Sequence, residues 1–177
     1  MNIQNLIVSS LRHSVVQVFS TMLTGDIELE QTSLEQTTAE VNDRVVSFIG
    51  VAGTWTGTGS LTCSPTVACR ACSQMLMADY SSVTEEVLDA VAELTNMIIG
   101  NLKSELERHL GPLGLSIPTV IFGRNFKTKS AAAEWIVERF RWDGDEILLR
   151  VSLQPAEKSG VYMPRTNPVC ALEVQPD

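Results

Sequence analysis

Glu93 and Asn96 stand three residues apart, the spacing that sets a carboxylate and an amide side by side on one face of a helix. A carboxylate can take a salt bridge from a cation on another molecule. An amide both donates and accepts hydrogen bonds. Together they read as two polar groups held at fixed separation on a rigid element. Asp89, Gly100 and Lys103 continue the same face at helical steps, and Asn101 follows Gly100. Asn96, Gly100 and Asn101 are all poorer helix formers than Ala, and Gly100 alone costs about 0.5–1 kcal/mol in a helix interior. A solvated helix face has no reason to carry that cost. A docking face does, because a missing side chain lets a foreign backbone or bulky group come close. The competing structural explanation is a crossing helix of the same molecule packed against Gly100.

The element that must carry these residues is the best marked in the chain. Ser82-Val83-Thr84-Glu85 reads as a capping box, with Ser82 as the cap and Glu85 reaching back. The helix then runs to about His109, where Gly111 and Pro112 stop it. Val87, Val91, Leu94, Ile98 and Leu102 fall within about 80° of one another at 100° per residue, which defines the buried stripe opposite Glu93 and Asn96. Lys103 and Glu107 read as a solvated i, i+4 pair in the less favourable order. His109 in the last turn is explained by the helix dipole.

Other constellations are weaker. Cys69-Arg70-Ala71-Cys72 is a Cys-x-x-Cys, compatible with a thiol pair or half a zinc site. No second pair exists, and cysteines at i and i+3 of a helix more often line a core. Gly53, Gly57 and Gly59 are not followed by Gly-Lys-Ser/Thr, so a phosphate loop is disfavoured; close backbone approach within a strand explains them better. No Ser or Cys has the context of a nucleophile, and two histidines supply little for a triad.

Length and composition bound the rest. The 177 residues fit one domain, or one domain with a tail. Hydrophobic residues at 44% and charged residues at 19% exclude wholesale disorder. Thirteen basic residues against 21 acidic ones give a net charge of −8, which repels phosphate backbones and argues against nucleic-acid binding. The first residues lack a basic leader region and no apolar run approaches about 18 residues, so the expectation is a soluble cytoplasmic protein without a membrane partner. Four cysteines do not make a disulfide scaffold in a chain this long.

Periodicity predicts a helix over Asn2 to Met22 closed by Thr24-Gly25, a strand around Leu29 to Leu34, and a stronger one from Arg44 to Val51. Trp55 to Cys63 alternates strictly, with Thr56, Thr58, Ser60 and Thr62 on one face. A short helix over Pro65 to Met77 follows. Beyond the long helix come strands at Pro118 to Phe122, Trp135 to Trp142 and Glu146 to Leu153, with Asp143-Gly144 as a hairpin signal between the last two. Ala131-Ala132-Ala133-Glu134 favours helix by propensity. The chain divides into a domain over residues 1–154 and a Pro-rich extension over 155–177, which contains Pro155, Pro164, Pro168 and Pro176.

The run Glu93-Leu94-Thr95-Asn96-Met97-Ile98-Ile99-Gly100-Asn101, followed by Ser116-Ile117-Pro118-Thr119-Val120, resembles the CheX branch of the CheC/CheX/FliY chemotaxis phosphatases. That family carries a Glu-x-x-Asn signature on a long helix, often continued by Gly-Asn, and a strand after a Leu/Ile-Pro-Thr-Val-like lead-in. The resemblance implies an α+β fold (mixed α/β) with a CheC/CheX-like sheet and long helices packed on one face, in a protein that tends to form homodimers. It implies hydrolysis of the aspartyl phosphate on a CheY-like response regulator in chemotaxis or two-component signalling. Asn96 would orient the attacking water and Glu93 would pair with the regulator's lysine, while Asp89, Gly100, Asn101 and Lys103 shape the partner surface. No cofactor or metal of its own is needed, since the receiver brings Mg²⁺. Some relatives carry a second motif on the first helix; here no acidic residue precedes Asp26, so a single site is expected, as in the CheX branch. The rival from another class is a non-catalytic receiver-binding module of the same fold, and a thiol or zinc protein built on Cys69 and Cys72 is a third reading.

Overall fold

A computed structural model describes residues 2–36, 40–41, 43–123, 126–127 and 134–156, the short pieces at 40–41 and 126–127 by backbone alone. Its elements are α1 (Ile3–Met22), β1 (Ile27–Glu35), β2 (Glu40–Val41), β3 (Arg44–Gly53), β4 (Trp55–Cys63) and α2 (Pro65–Leu76). They continue with α3 (Glu85–Leu110), β5 (Leu113–Leu115), β6 (Thr119–Gly123), β7 (Phe126–Lys127), β8 (Trp135–Trp142) and β9 (Asp145–Pro155). Seven strands form one sheet in the order β1-β8-β9-β4-β3-β5, with β6 also on β3, and β2 pairs with β7 outside it. All pairings in the large sheet are antiparallel.

Alternation along the central strands decides which face takes the helices. Val45, Ile49 and Val51 of β3, Leu61 and Cys63 of β4, Ile147, Leu149 and Val151 of β9, and Ile136, Phe140 and Trp142 of β8 share one face. With the apolar stripes of α1, α2 and α3 they make the main core. On the other face Trp135, Val137 and Leu148 form a smaller buried cluster. Ion pairs lie along that face: Arg139 and Arg150 both reach Glu35 at 3.0 Å, and Arg139 and Arg44 reach Glu146 at 3.5 and 3.3 Å. Their aliphatic stems lie on a face dressed with apolar side chains.

α1 begins with Asn2, whose side chain accepts from the Gln4 amide at 3.0 Å. Its inward residues are Ile7, Leu11, Val15, Val18 and Phe19. Beneath it lies Glu138, fully buried, which accepts from Arg12 Nε at 3.2 Å and from the Thr32 hydroxyl at 3.1 Å. The pair fastens α1 to β1 and β8, and an unpaired carboxylate there would be costly. α2 is tied to the β8–β9 hairpin by Arg70, which sits 4.0 Å over the Trp142 ring, donates to the Trp142 carbonyl at 2.8 Å and meets Asp145 at 3.2 Å.

The hairpin signal holds: Asp143 and Gly144 both take positive φ, 48° and 87°, between the paired Trp142 and Asp145. Three expectations are corrected. The capping box is not formed, because α3 starts at Glu85 with Thr84 as its cap and no side-chain cap bond. The nearby Thr84 hydroxyl, and then Glu86's own backbone amide, hold the Glu86 carboxyl below the ordinary carboxylate range. A three-residue strand, β5, forms where sequence reading found none. And β9 continues through Gln154 and Pro155, the latter opposite Trp55, so the boundary at 154 falls inside a strand. Ala131 to Ala133 and residues 157–177 lie outside the described residues.

The glycines of β4 have internal explanations. A Cβ on Gly57 would stand 1.9 Å from the Ser152 carbonyl oxygen, and one on Gly59 would stand 2.7 Å from Ile99 Cδ1. Gly59 therefore lets α3 settle onto the sheet at Ile99. Gly59→Ala is expected to lower stability by about 1–3 kcal/mol through overpacking, read as a lower urea midpoint at unchanged slope; an unchanged midpoint would mean that Ile99 simply rotates away.

A candidate docking site on the long helix

α3 is 26 residues long, about 39 Å at 1.5 Å per residue. Val87, Val91, Leu94, Ile98, Ile99, Leu102 and Leu106 are buried along its underside, which fixes the rod on the sheet and therefore fixes what faces outward. Asp89, Glu93, Asn96, Gly100 and Lys103 fall within about 80° of one another on the outer side. Asp89 and Glu93 are exposed, and Asn96, Gly100 and Lys103 are half-buried. Asn101 is exposed too but lies about 100° round from Gly100, on the flank of the stripe rather than in line with it.

Neither the Glu93 carboxylate nor the Asn96 amide has a hydrogen-bond or ion-pair partner among the described residues. Both are thus held at helical separation with their polar atoms uncommitted. Gly100 completes the picture: a Cβ built on it meets nothing within 4 Å. Among the described residues no helix crosses there, and none of them gives this glycine an internal explanation. The fold requires Gly59 and does not require Gly100.

Lys103 departs from the solvated pair expected of it. Its ammonium is 2.8 Å from Glu107 Oε2, while Glu107 Oε1 accepts from the Leu113 amide at 2.9 Å. The Lys103 contact, and then the Leu113 amide, hold the Glu107 carboxyl below its ordinary range. A depressed carboxyl pKa stabilises above the unfolded value and is lost as pH falls through the folded one, so this clamp between α3 and β5 is intact at neutral pH. The Ser104 hydroxyl donates to the Gly100 carbonyl at 2.9 Å. Sequence reading passed over Ser104 and treated Glu107 only as Lys103's partner, since their bonds depend on the tertiary position of β5 and on the local helix geometry.

The thiols belong to the core. Cys63, Cys69 and Cys72 are buried. Burial pushes Cys63 up to about 12 and raises Cys69 and Cys72 as well, which disfavours the thiolate that redox and metal chemistry need. Among the described residues no group of three or more His, Cys, Asp or Glu is arranged to hold a metal ion. A groove of about 250 Å³ lies between the start of α1 and the ends of β8 and β9, lined by Ile3, Ile7, Ile136 and Leu153 among others and by none of the α3 stripe.

The polar pair thus lies open on a helix that the sheet backs. The fold belongs to the CheC-like class: a CheC-like superfamily protein from Shewanella sp. PV-4 superposes with a TM-score of 0.75 at 25% identity, over 87% of this chain and 99% of that one. The chain is a member of the CheX family, since the model of the chemotaxis phosphatase CheX matches residues 45–139. It is 36% identical over 93 residues to the CheY-P phosphatase CheX of Thermotoga maritima, a match spanning 51% of this chain and 59% of that protein. The CheX–CheY–BeF3–Mg²⁺ complex from Borrelia burgdorferi aligns with a TM-score of 0.70 at 22% identity, over 83% of this chain and 97% of that one. The match to the curated relative thus covers less than two thirds of its length. No described helix is long and apolar enough to cross a membrane.

Proposed function

We propose that this protein is a phosphatase that hydrolyses the aspartyl phosphate of a CheY-like response regulator. The observation that carries the reading is the uncommitted Glu93–Asn96 pair beside an unobstructed Gly100 on α3. Phosphoryl transfer asks mainly for positioning and charge stabilisation, and a receiver domain already holds the phosphoryl group, a lysine and a bound Mg²⁺. Glu93 pairs with the receiver's lysine and sets the register of docking. The Asn96 amide then fixes a water in line with phosphorus. The water oxygen bonds to phosphorus as the bond to the aspartyl oxygen breaks, the water proton passes to phosphate oxygen or solvent, and inorganic phosphate and a free carboxylate result. Membership of the CheX family, the identity to a CheY-P phosphatase and the fold shared with a CheX bound to a CheY support the assignment.

The test is phosphate release from an acyl-phosphorylated receiver domain. Acceleration above the receiver's own rate supports the enzyme. Association without acceleration would leave the rival, a non-catalytic receiver-binding module. The protein is further proposed to act as a cytoplasmic homodimer, supported by β6, which lies at one side of the sheet and exposes Ile121 and Phe122. Light scattering should return twice 19.4 kDa, and a monomer mass at micromolar concentration would contradict it.

A further inference from the structure

The groove of about 250 Å³ beside the start of α1 shares no residue with the outer stripe of α3. Its floor is apolar: Ile7, Ile136 and Val151 are buried, and Ile3 and Leu153 are half-buried beside them. Gln4 and Glu134 also line it, joined by a hydrogen bond from Gln4 Nε2 to Glu134 Oε2 at 3.0 Å. An apolar cavity of about 150 Å³ accepts a benzene-sized group, so this groove has room for more than one side chain.

The chain itself runs alongside. β4 follows β9 as far as Pro155 opposite Trp55, whereas among the described residues β8 pairs with β9 only to Ile136 opposite Val151. Ser152, Leu153 and Gln154, past that last β8 pair, form the β9 side of the groove. Two residues later the Ala156 amide donates to the Thr54 carbonyl at 3.0 Å, and residues 157–177 follow. Glu157-Lys158-Ser159-Gly160 is polar and ends in glycine, a composition suited to chain reversal. Val161-Tyr162-Met163 is the apolar stretch next in line, with Lys158 before it and Arg165 after it.

Reach is sufficient. Ala156 lies about 7 Å along the strand from Gln154, and the five residues from Ala156 to Val161 can span at most about 17 Å. A stretch tethered so closely meets the groove at an effective concentration in the millimolar range, which a foreign segment must outcompete. Charge agrees: the two cations flank the apolar stretch, and Glu134 is an exposed carboxylate at the groove.

We propose that Val161-Tyr162-Met163 of the same chain occupies this groove, as a strap that fastens the first turn of α1 to the ends of β8 and β9. Its apolar side chains cover Ile3, Ile7, Ile136 and Leu153, and its flanking cations lie toward Glu134. The strap does not depend on what α3 binds.

Amide hydrogen exchange on the full chain tests it, comparing the parent with a variant carrying Val161→Ser, Tyr162→Ser and Met163→Ser. Exchange at the Leu6 and Ile7 amides is expected to rise about tenfold in the variant, because a local anchor is lost while the rest of the fold stays closed. Protection along α3 and the central strands should stay as in the parent, which separates a loosened helix start from a failing fold. Val169→Ser with Leu172→Ser, which removes the other apolar positions of the tail, should leave the Leu6 and Ile7 amides unchanged. In the parent itself, NOEs are expected from the Tyr162 ring or the Met163 methyl to the methyls of Ile3, Ile7 or Leu153. Exchange in the triple variant within about twofold of the parent, or absence of those NOEs, overturns the strap. Parent protection that fades on dilution overturns it too, by giving the groove to the tail of a second copy.

Discussion

Asn96→Ala is expected to slow release of phosphate from a phosphorylated receiver about a hundredfold at saturating partner, equivalent to about 2.7 kcal/mol of barrier. Association should change less than about twofold. The split follows from the geometry. Asn96 makes no side-chain hydrogen bond among the described residues, so removing its amide is expected to leave α3 in place and to withdraw only the group proposed to orient water. Glu93, one turn away on the same face, is expected still to supply the proposed salt bridge to the receiver. Single-turnover kinetics with excess phosphatase, beside equilibrium binding to a beryllofluoride-loaded receiver, separate the two effects. Loss of binding in parallel with turnover would mean that Asn96 is an anchor rather than a water-positioning residue.

Gly100→Leu should move stability and function in opposite directions. A leucine in place of an interior helical glycine is expected to add about 0.5–1 kcal/mol, or about 2–4 °C in Tm for each kcal/mol in a chain of this size. The open space around Gly100 leaves nothing among the described residues to object. The same side chain stands up one turn from Asn96, where the partner must come close, and association is expected to fall at least about tenfold. A stabilised variant with full turnover would show that the flat spot serves no docking. A destabilised one would show that the glycine serves the fold after all.

The stripe of α3 was legible because it depends on local rules: apolar residues at helical steps, a Gly-Pro stop, and glycine and asparagine where better helix formers were available. β4 was legible for a similar reason, as strict alternation from Trp55 to Cys63 leaves little choice of register. What escaped depends on partners distant in sequence. β5 is three residues long, too short to show a period, and it exists because Gly53 at φ 145° lets β3 pass the Pro112 carbonyl and the Thr54 amide donates to that carbonyl at 3.1 Å. Glu138 in the core is tolerated because Arg12, 126 positions earlier, and the Thr32 hydroxyl reach it. The capping box failed because α3 starts at Glu85 behind Thr84, two residues past Ser82, and the turn before it is held by the Tyr80 amide on the Ser73 hydroxyl.

At the centre of the account is the claim that the outer stripe of α3 enters the receiver's reaction centre. Labelling the protein with ¹⁵N and titrating in an unlabelled, beryllofluoride-activated receiver domain tests it directly. The Asn96 side-chain amide and the backbone amides from Glu93 to Gly100 should shift or broaden most. If those signals stay still while the perturbation gathers on β1 or on the strand face away from the helices, the receiver docks elsewhere and the proposed chemistry has no place on this helix.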